Sequence, residues 1–231
     1  PTKPRRARVG SPDERLRAAE QALARLELAG EMVPSIDWFI YAFVRKEAVV
    51  SSQIEGTQAT LVDLLTFEAE RGGGPRSADV EEVCNYLDTL DFARTQLADS
   101  SGLPLSMRLL NKTHARLMQG VRGADKRPGA VRRTQNWIGG SRPGNATFVP
   151  PPPHVRAGLL HVQFETIHPY LDGNGRMGRL LVTLLLEHRK LLTQPLLYLS
   201  LFFKRHRTDY YDRLGAVRTS GDWEGWTEFF L

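Results

Sequence analysis

The sequence predicts an all-α helical bundle with one small β-hairpin flap. Three observations predict it. Apolar residues recur at three- and four-residue spacing over most of the 231 residues, which gathers them on one face of a helix. Capping and stopping residues bound those stretches. Helical spacing lapses over one long interval, 121–153, where Gly, Pro, Asn and Thr dominate.

Ser11-Pro12-Asp13-Glu14 opens the first helix, with Ser11 as cap, Pro12 at the first helical position and Glu14 completing a capping box. Leu16, Ala19, Leu23 and Leu26 continue it and Gly30 stops it. Ser35 is placed to cap a second helix, with Ile36, Phe39, Ile40, Phe43 and Val50 on its buried side. A third runs from Thr60 to Glu70, and Gly72-Gly73-Gly74-Pro75 marks a loop. A fourth, Ala78 to Leu97, carries Val80, Val83, Tyr86, Leu87, Leu90 and Phe92; a fifth covers Met107 to Gln119. Ile138-Gly139-Gly140 and Ala146-Thr147-Phe148-Val149 can pair as the hairpin. Helices resume over His154 to Thr166, Gly175 to Arg189, Leu196 to Lys204 and Thr208 to Arg218. The expected division is a basic tail (1–10), an N-terminal helical region (11–100), a catalytic core (101–222) and the start of a further C-terminal region (223–231).

Hydrophobic residues make up 41% and charged residues 25% of the chain, as in soluble globular proteins. The formal charge of +5 suits an anionic ligand such as a nucleotide, but is too small and scattered to argue for nucleic acid. Part of it, Lys3, Arg5, Arg6 and Arg8, reads as a solvated tail. The one cysteine, Cys84, excludes an intrachain disulfide and fits a reducing compartment, so a cytoplasmic location is expected. The leucine-rich stretch Leu180 to Leu186 is broken by Glu187, far short of the ~20 residues of a spanning helix, so no membrane partner is expected. The basic start is not followed by an apolar segment, so no signal peptide is visible. Pro1 at the start, and the apolar run Trp223, Trp226, Phe229, Phe230, Leu231 at the end, lead us to expect further protein beyond each.

The chemistry gathers in His168-Pro169-Tyr170-Leu171-Asp172-Gly173-Asn174-Gly175-Arg176-Met177-Gly178-Arg179, between two helices. Gly173 and Gly175 let backbone amides approach a ligand, and the following helix adds the positive end of its dipole. Arg176 and Arg179, three apart, share a helical face and can fork onto phosphate oxygens. Asp172 offers one carboxylate for Mg2+ beside those phosphates. His168 has the chemistry of a general base near neutral pH. Singly, each fragment is more often a turn or a solvated helix face; together and in order they form a phosphoryl- or nucleotidyl-transfer site.

This segment resembles the motif of the Fic family, His-Pro-Phe-x-Asp/Glu-Gly-Asn-Gly-Arg-x-x-Arg, with Tyr170 in place of Phe. Pro128-Gly129, Arg132-Arg133 and Gln135-Asn136-Trp137-Ile138-Gly139-Gly140 resemble the stretch leading to the family's flap, and Ala146 to Pro151 the flap itself. Arg207-Thr208-Asp209-Tyr210-Tyr211 resembles its adenine-pocket segment, and Arg218 stands where relatives can carry Asn. Ser51-Ser52-Gln53-Ile54-Glu55-Gly56 resembles the inhibitory pattern Ser/Thr-x-x-x-Glu-Gly/Asn, of the class with an N-terminal inhibitory helix.

The resemblance implies a protein adenylyltransferase that moves AMP from ATP to a Ser, Thr or Tyr hydroxyl of a target protein, or of itself. His168 would be the base and Asp172 would hold Mg2+. Gly173, Asn174, Gly175, Arg176, Met177, Gly178, Arg179 and Tyr210 would line the ATP site. Ala146, Thr147, Phe148 and Val149 would dock the target by strand addition. Ser51, Glu55 and Gly56 would form the inhibitory end, with Glu55 on Arg179. Dimerising relatives leave a homodimer open, and nucleic acid enters only through a C-terminal module beyond residue 231. Other readings stay open: removal of AMP, transfer of phosphate or another nucleotide, and a catalytically silent nucleotide-binding regulator. Gly173 and Arg179 argue against the family's kinase branch, which lacks the second arginine.

Overall fold

The structure, a computed structural model, describes residues 12–70, 77–133 and 161–230. Among them run ten helices: α1 (Pro12–Glu31), α2 (Ile36–Ile54), α3 (Leu61–Ala69), α4 (Ala78–Ala98), α5 (Met107–Leu117), α6 (His161–Ile167), α7 (Asn174–His188), α8 (Leu199–Arg205), α9 (Arg207–Ser220) and α10 (Trp223–Phe230). The all-α class holds, and the described residues contain no strand. The proposed hairpin, Ser11, the Gly72–Pro75 loop and the basic tail lie outside the described residues.

Local chemistry explains three helix starts. Thr60 and Asp63 form a reciprocal capping box at α3, and the Ser77 and Ser106 hydroxyls accept from Val80 N and Leu109 N at the starts of α4 and α5. Ser35 precedes α2 as expected, but its side chain makes no capping bond. Phe39, expected on the buried side, is 38% exposed. The cover of α2 lies at its other end, where Glu47 to Ser52 and Ile54 are buried, because α2 passes there between α4, α7 and α8.

The main core joins α2, α4, α5 and α7 through Ala48, Val49, Val83, Tyr86, Leu90, Leu110, Leu117, Met177, Leu180, Leu181 and Leu184. Each such leucine contributes about 1.5–3 kcal/mol by leaving water. A second core, largely aromatic, holds Ile54, Val162, Phe203, Tyr210, Leu214, Val217 and Trp226. Trp226 packs there with α9, so the run from Trp223 forms part of this core. α7 passes through the main core, and its N-terminus meets the last turn of α2.

Candidate active site

The loop between α6 and α7 is shaped by its own residues and by α5. Gly173 caps α7 at φ +75°, and a Cβ on it would lie 2.6 Å from Met118 Sδ and 3.3 Å from His114 Nε2. Only glycine fits both the dihedral and the gap. The Asn174 side chain accepts from Tyr170 N and donates to Tyr170 O, both at 2.9 Å, so its amide is committed to holding the loop. Tyr170 is buried, and its hydroxyl donates to Asn111 Oδ1 at 2.9 Å. That partner accommodates the hydroxyl that Phe would lack.

His114 on α5 stacks on Tyr170, with ring centroids 3.8 Å apart and planes 4° apart. Its Nδ1 accepts from Gly129 N and its Nε2 lies 2.9 Å from Asp172 O, which fixes the neutral tautomer with the proton on Nε2. Burial, with Arg176 adding to it, draws its pKa down to about 4 against the pull of Asp172. Asp172 is half-buried, and its Oδ1 accepts from Gly173 N.

Both arginines are only 1% exposed and turn to different partners. Arg179 Nε donates to Ser51 Oγ at 2.9 Å; Nη2 donates to Ser51 O and to Glu55 Oε1, both at 2.8 Å. Burial works against both charges of the Glu55–Arg179 pair. Each partner overrides it for the other, holding the carboxyl below and the guanidinium above their ordinary values. A Cβ at Gly175 would lie 2.1 Å from Glu55 Oε1, so the glycine admits a carboxylate against the first turn of α7. That turn presents unpaired N–H groups and positive dipole charge. Glu55 thus rests where an anion is favoured, and Gly56 follows at φ +101°.

Arg176 Nη1 donates to Glu82 Oε2 on α4 at 3.1 Å, and Nη2 points at Met118 Sδ. Glu82 also accepts from Thr57 Oγ1 at 2.8 Å, and Arg122 bridges from Glu82 to the Glu55 carbonyl. Arg176 therefore ties α7 to α4 and to the turn after α2. Its Nε has no partner among the described residues.

His168 has φ +49° and is half-buried. Burial first, then the Arg218 and Arg132 guanidinium groups, draws its pKa down to about 4, against the Glu165 backbone and Glu55. Burial likewise raises the Glu165 carboxyl to about 7. Arg218 Nη2 donates to Glu165 O at 3.0 Å.

Other expected residues lie elsewhere. Met177 sits in the main core, and Gly178 is backed by Glu165 and His161 of α6. Tyr210 is enclosed in the second core, its hydroxyl 2.8 Å from His161 Nε2, while Tyr211 beside it is 44% exposed. Ala146 to Val149 lie outside the described residues. Reading the sequence missed Glu82 and His114, and took Arg132 only as part of the stretch leading to the flap. Glu82 had a visible signal, since it shares the 82–86–90 stripe with buried Tyr86 and Leu90.

Residues 14–95 match the Fic/DOC family N-terminal model, and residues 104–186 match the Fic/DOC family model. A probable protein adenylyltransferase of Aquifex aeolicus (strain VF5) is 36% identical over 69 residues, covering 20% of this chain and 22% of that protein. The match thus spans about a fifth of that relative's length. A Fic family protein from Desulfovibrio desulfuricans G20 superposes with a TM-score of 0.72 at 21% identity, covering 99% of this chain and 73% of that one. A Fic domain containing signaling protein from Bacteroides thetaiotaomicron VPI-5482 gives 0.62 at 18% identity, covering 95% and 91%. Both likenesses concern the fold.

Proposed function

The chain belongs to the Fic/DOC family, and from that premise we propose that it is a protein adenylyltransferase, restrained by its own Glu55. The proposed reaction moves AMP from ATP to a Ser, Thr or Tyr hydroxyl of a target protein. The observation that carries the reading is the Glu55 carboxylate seated on Arg179 against the first turn of α7, with Asp172 held on Gly173 N at the same helix end.

In the proposed step, the target oxygen forms a bond to the α-phosphorus as the bond from that phosphorus to the bridging oxygen breaks. Pyrophosphate leaves, and the hydroxyl proton passes to His168. The Nδ1 of His168 is buried, which leaves Nε2 to take it. With its pKa drawn down to about 4, His168 is neutral and able to accept near pH 7. The amides at the α7 N-terminus and the Arg179 guanidinium hold phosphate oxygens once Glu55 withdraws. Arg176 Nε offers one further donor. The Tyr210–Tyr211 turn supplies the aromatic surface for the base, with Tyr211 its open ring.

Asp172 suits Mg2+: it is half-buried, beside the anion site, and its Oδ1 is oriented by Gly173 N. Among the described residues no three acidic, His or Cys side chains gather around one point. Triphosphate oxygens and waters would supply the remaining ligands, as is usual for this ion. Bound there, Mg2+ would neutralise charge on the triphosphate.

Glu55 restrains the reaction by holding the cation that should align the triphosphate. A misplacement of about 1 Å costs roughly 10²-fold in rate. Glu55→Gly is therefore expected to raise incorporation from α-labelled ATP into protein by about 10²-fold. An equal or lower rate would end the claim of restraint. Nucleotide binding with no transfer by either form would end the claim of transfer.

A further inference from the structure

We infer that Arg132 is a positioning residue for His168, fixing the aim of the imidazole by holding three successive carbonyls of its loop; the inference rests on the reading of His168 as the base. Arg132 N donates to Pro169 O at 2.8 Å, Nε to His168 O at 2.9 Å and Nη2 to Ile167 O at 3.0 Å. The next carbonyl, Tyr170 O, accepts from Asn174. Every carbonyl from 167 to 170 is thus fixed, three of them by one residue.

Two physical demands meet there. α6 ends at Ile167, and the last carbonyls of a helix lack intrahelical donors and carry its negative dipole charge. A buried guanidinium, 2% exposed, answers both. His168 itself adopts φ +49°, a region that β-carbon sterics disfavour outside glycine. Such a conformation persists only where its surroundings over-determine it. His168 N is held by Phe164 O at 2.8 Å on one side, and Arg132 holds the carbonyl on the other. The planar fork matters, because Nε and Nη2 reach two adjacent carbonyls together. A lysine ammonium keeps the charge and loses that geometry.

A helix cap with no catalytic bearing would give a different result, so the test separates the two. Arg132→Lys and Arg132→Gln are compared in the Glu55→Gly background. The readouts are AMP transfer from α-labelled MgATP, MgATP affinity, thermal melting, and the His168 ring titration by NMR. Groups facing His168 are Arg132 itself, Arg218 from α9, Glu55 from α2 and the Glu165 backbone from α6. Both variants should lose about 10–10²-fold in kcat, with KM and affinity for MgATP changed by no more than about two-fold. The His168 titration should move up in Arg132→Gln, where a neighbouring positive charge is gone, and stay near its starting value in Arg132→Lys. Unchanged kcat, a KM rising in step, or a melting temperature falling in proportion would overturn the inference. If Glu55→Gly transfers nothing, the transferase reading fails by itself. An unmoved His168 titration in Arg132→Gln would then still overturn the positioning role.

Discussion

His168 is the base of the proposed transfer, and its environment sets a testable pH response. The imidazole accepts only when neutral, and burial with Arg218 and Arg132 nearby keeps it so down to about pH 4. In the Glu55→Gly form the opposing carboxylate is gone, so the acid limb of kcat/KM should lie at or below that value, with a flat profile from pH 6 to 8. A limb centred near the ordinary imidazole range of about 6.5 would contradict this. His168→Ala should lower transfer by about 10²–10⁴-fold while leaving MgATP affinity within a few-fold; a titration with labelled nucleotide checks the second half. At this scale the sequence was readable where donor and acceptor lie close along the chain. Gly173 caps α7, and the neighbouring Asp172 accepts from its N–H. Asn174 shows the limit, since its residue type suits a phosphate but its amide serves the Tyr170 backbone.

Among the elements, the tie between α4 and α7 is the most consequential contact that the sequence left unread. Glu82 and Arg176 are both almost wholly buried and pair with each other. Removing one partner strands a charge in the interior, at a cost of about 3–5 kcal/mol. Glu82→Ala should therefore lower the melting temperature by roughly 6–20 °C at 2–4 °C per kcal/mol. The double change Glu82→Leu with Arg176→Met should recover most of that loss, because no charge is left buried without a partner and Arg122 is exposed. Strictly additive losses in the double variant would rule out the pairing account. Helix positions were readable because apolar spacing is local, whereas the capping bonds at Ser77 and Ser106 went unread and Ser35 makes none. Phe39 departs from its expected side because period alone does not say which stretch of a helix has neighbours.

Across the whole molecule, buried titratable groups of opposite kinds nearly balance. His114, His161 and His168 are drawn down to about 4, about 3 and about 4, each chiefly by burial. Between roughly pH 4.5 and 6.5 the unfolded chain charges these imidazoles and the fold does not, so stability falls as pH falls. Glu47 and Glu165, raised to about 7 by burial, act in the other direction over the same window, because the fold keeps them protonated. Three protons against two leave a slope of only about 1.4 kcal/mol per pH unit. Below about pH 4.5 the two carboxyls become protonated in both states, but the folded imidazoles begin to charge near pH 4, so the slope from these five groups stays at about 2 kcal/mol per unit. Glu55 and Glu68, held low against burial by Arg179 and Arg45, steepen that limb. Above about 6.5 the histidines are neutral in both states and ionisation of Glu47 and Glu165 erodes stability. Melting temperature should therefore peak near pH 6.5, decline gently down to 4.5 and somewhat faster below it. A steady steep decline beginning at pH 6.5 would refute the balance.

By itself the sequence determined the helical class, the approximate extent of the helices and the turn that leads into α7. Each of these depends on residues within a few positions of one another, where covalent geometry fixes proximity. Only the tertiary structure decided which buried charge faces which: Arg176 with Glu82 across 94 residues, and Arg132 with the carbonyls of Ile167 and His168 across 35 and 36. The Glu55 pairing with Arg179, across 124 residues, was reached through resemblance and not through spacing. Such partners are chosen by how α2, α4 and α7 pack, and packing depends on the joint fit of many side chains that no local pattern encodes.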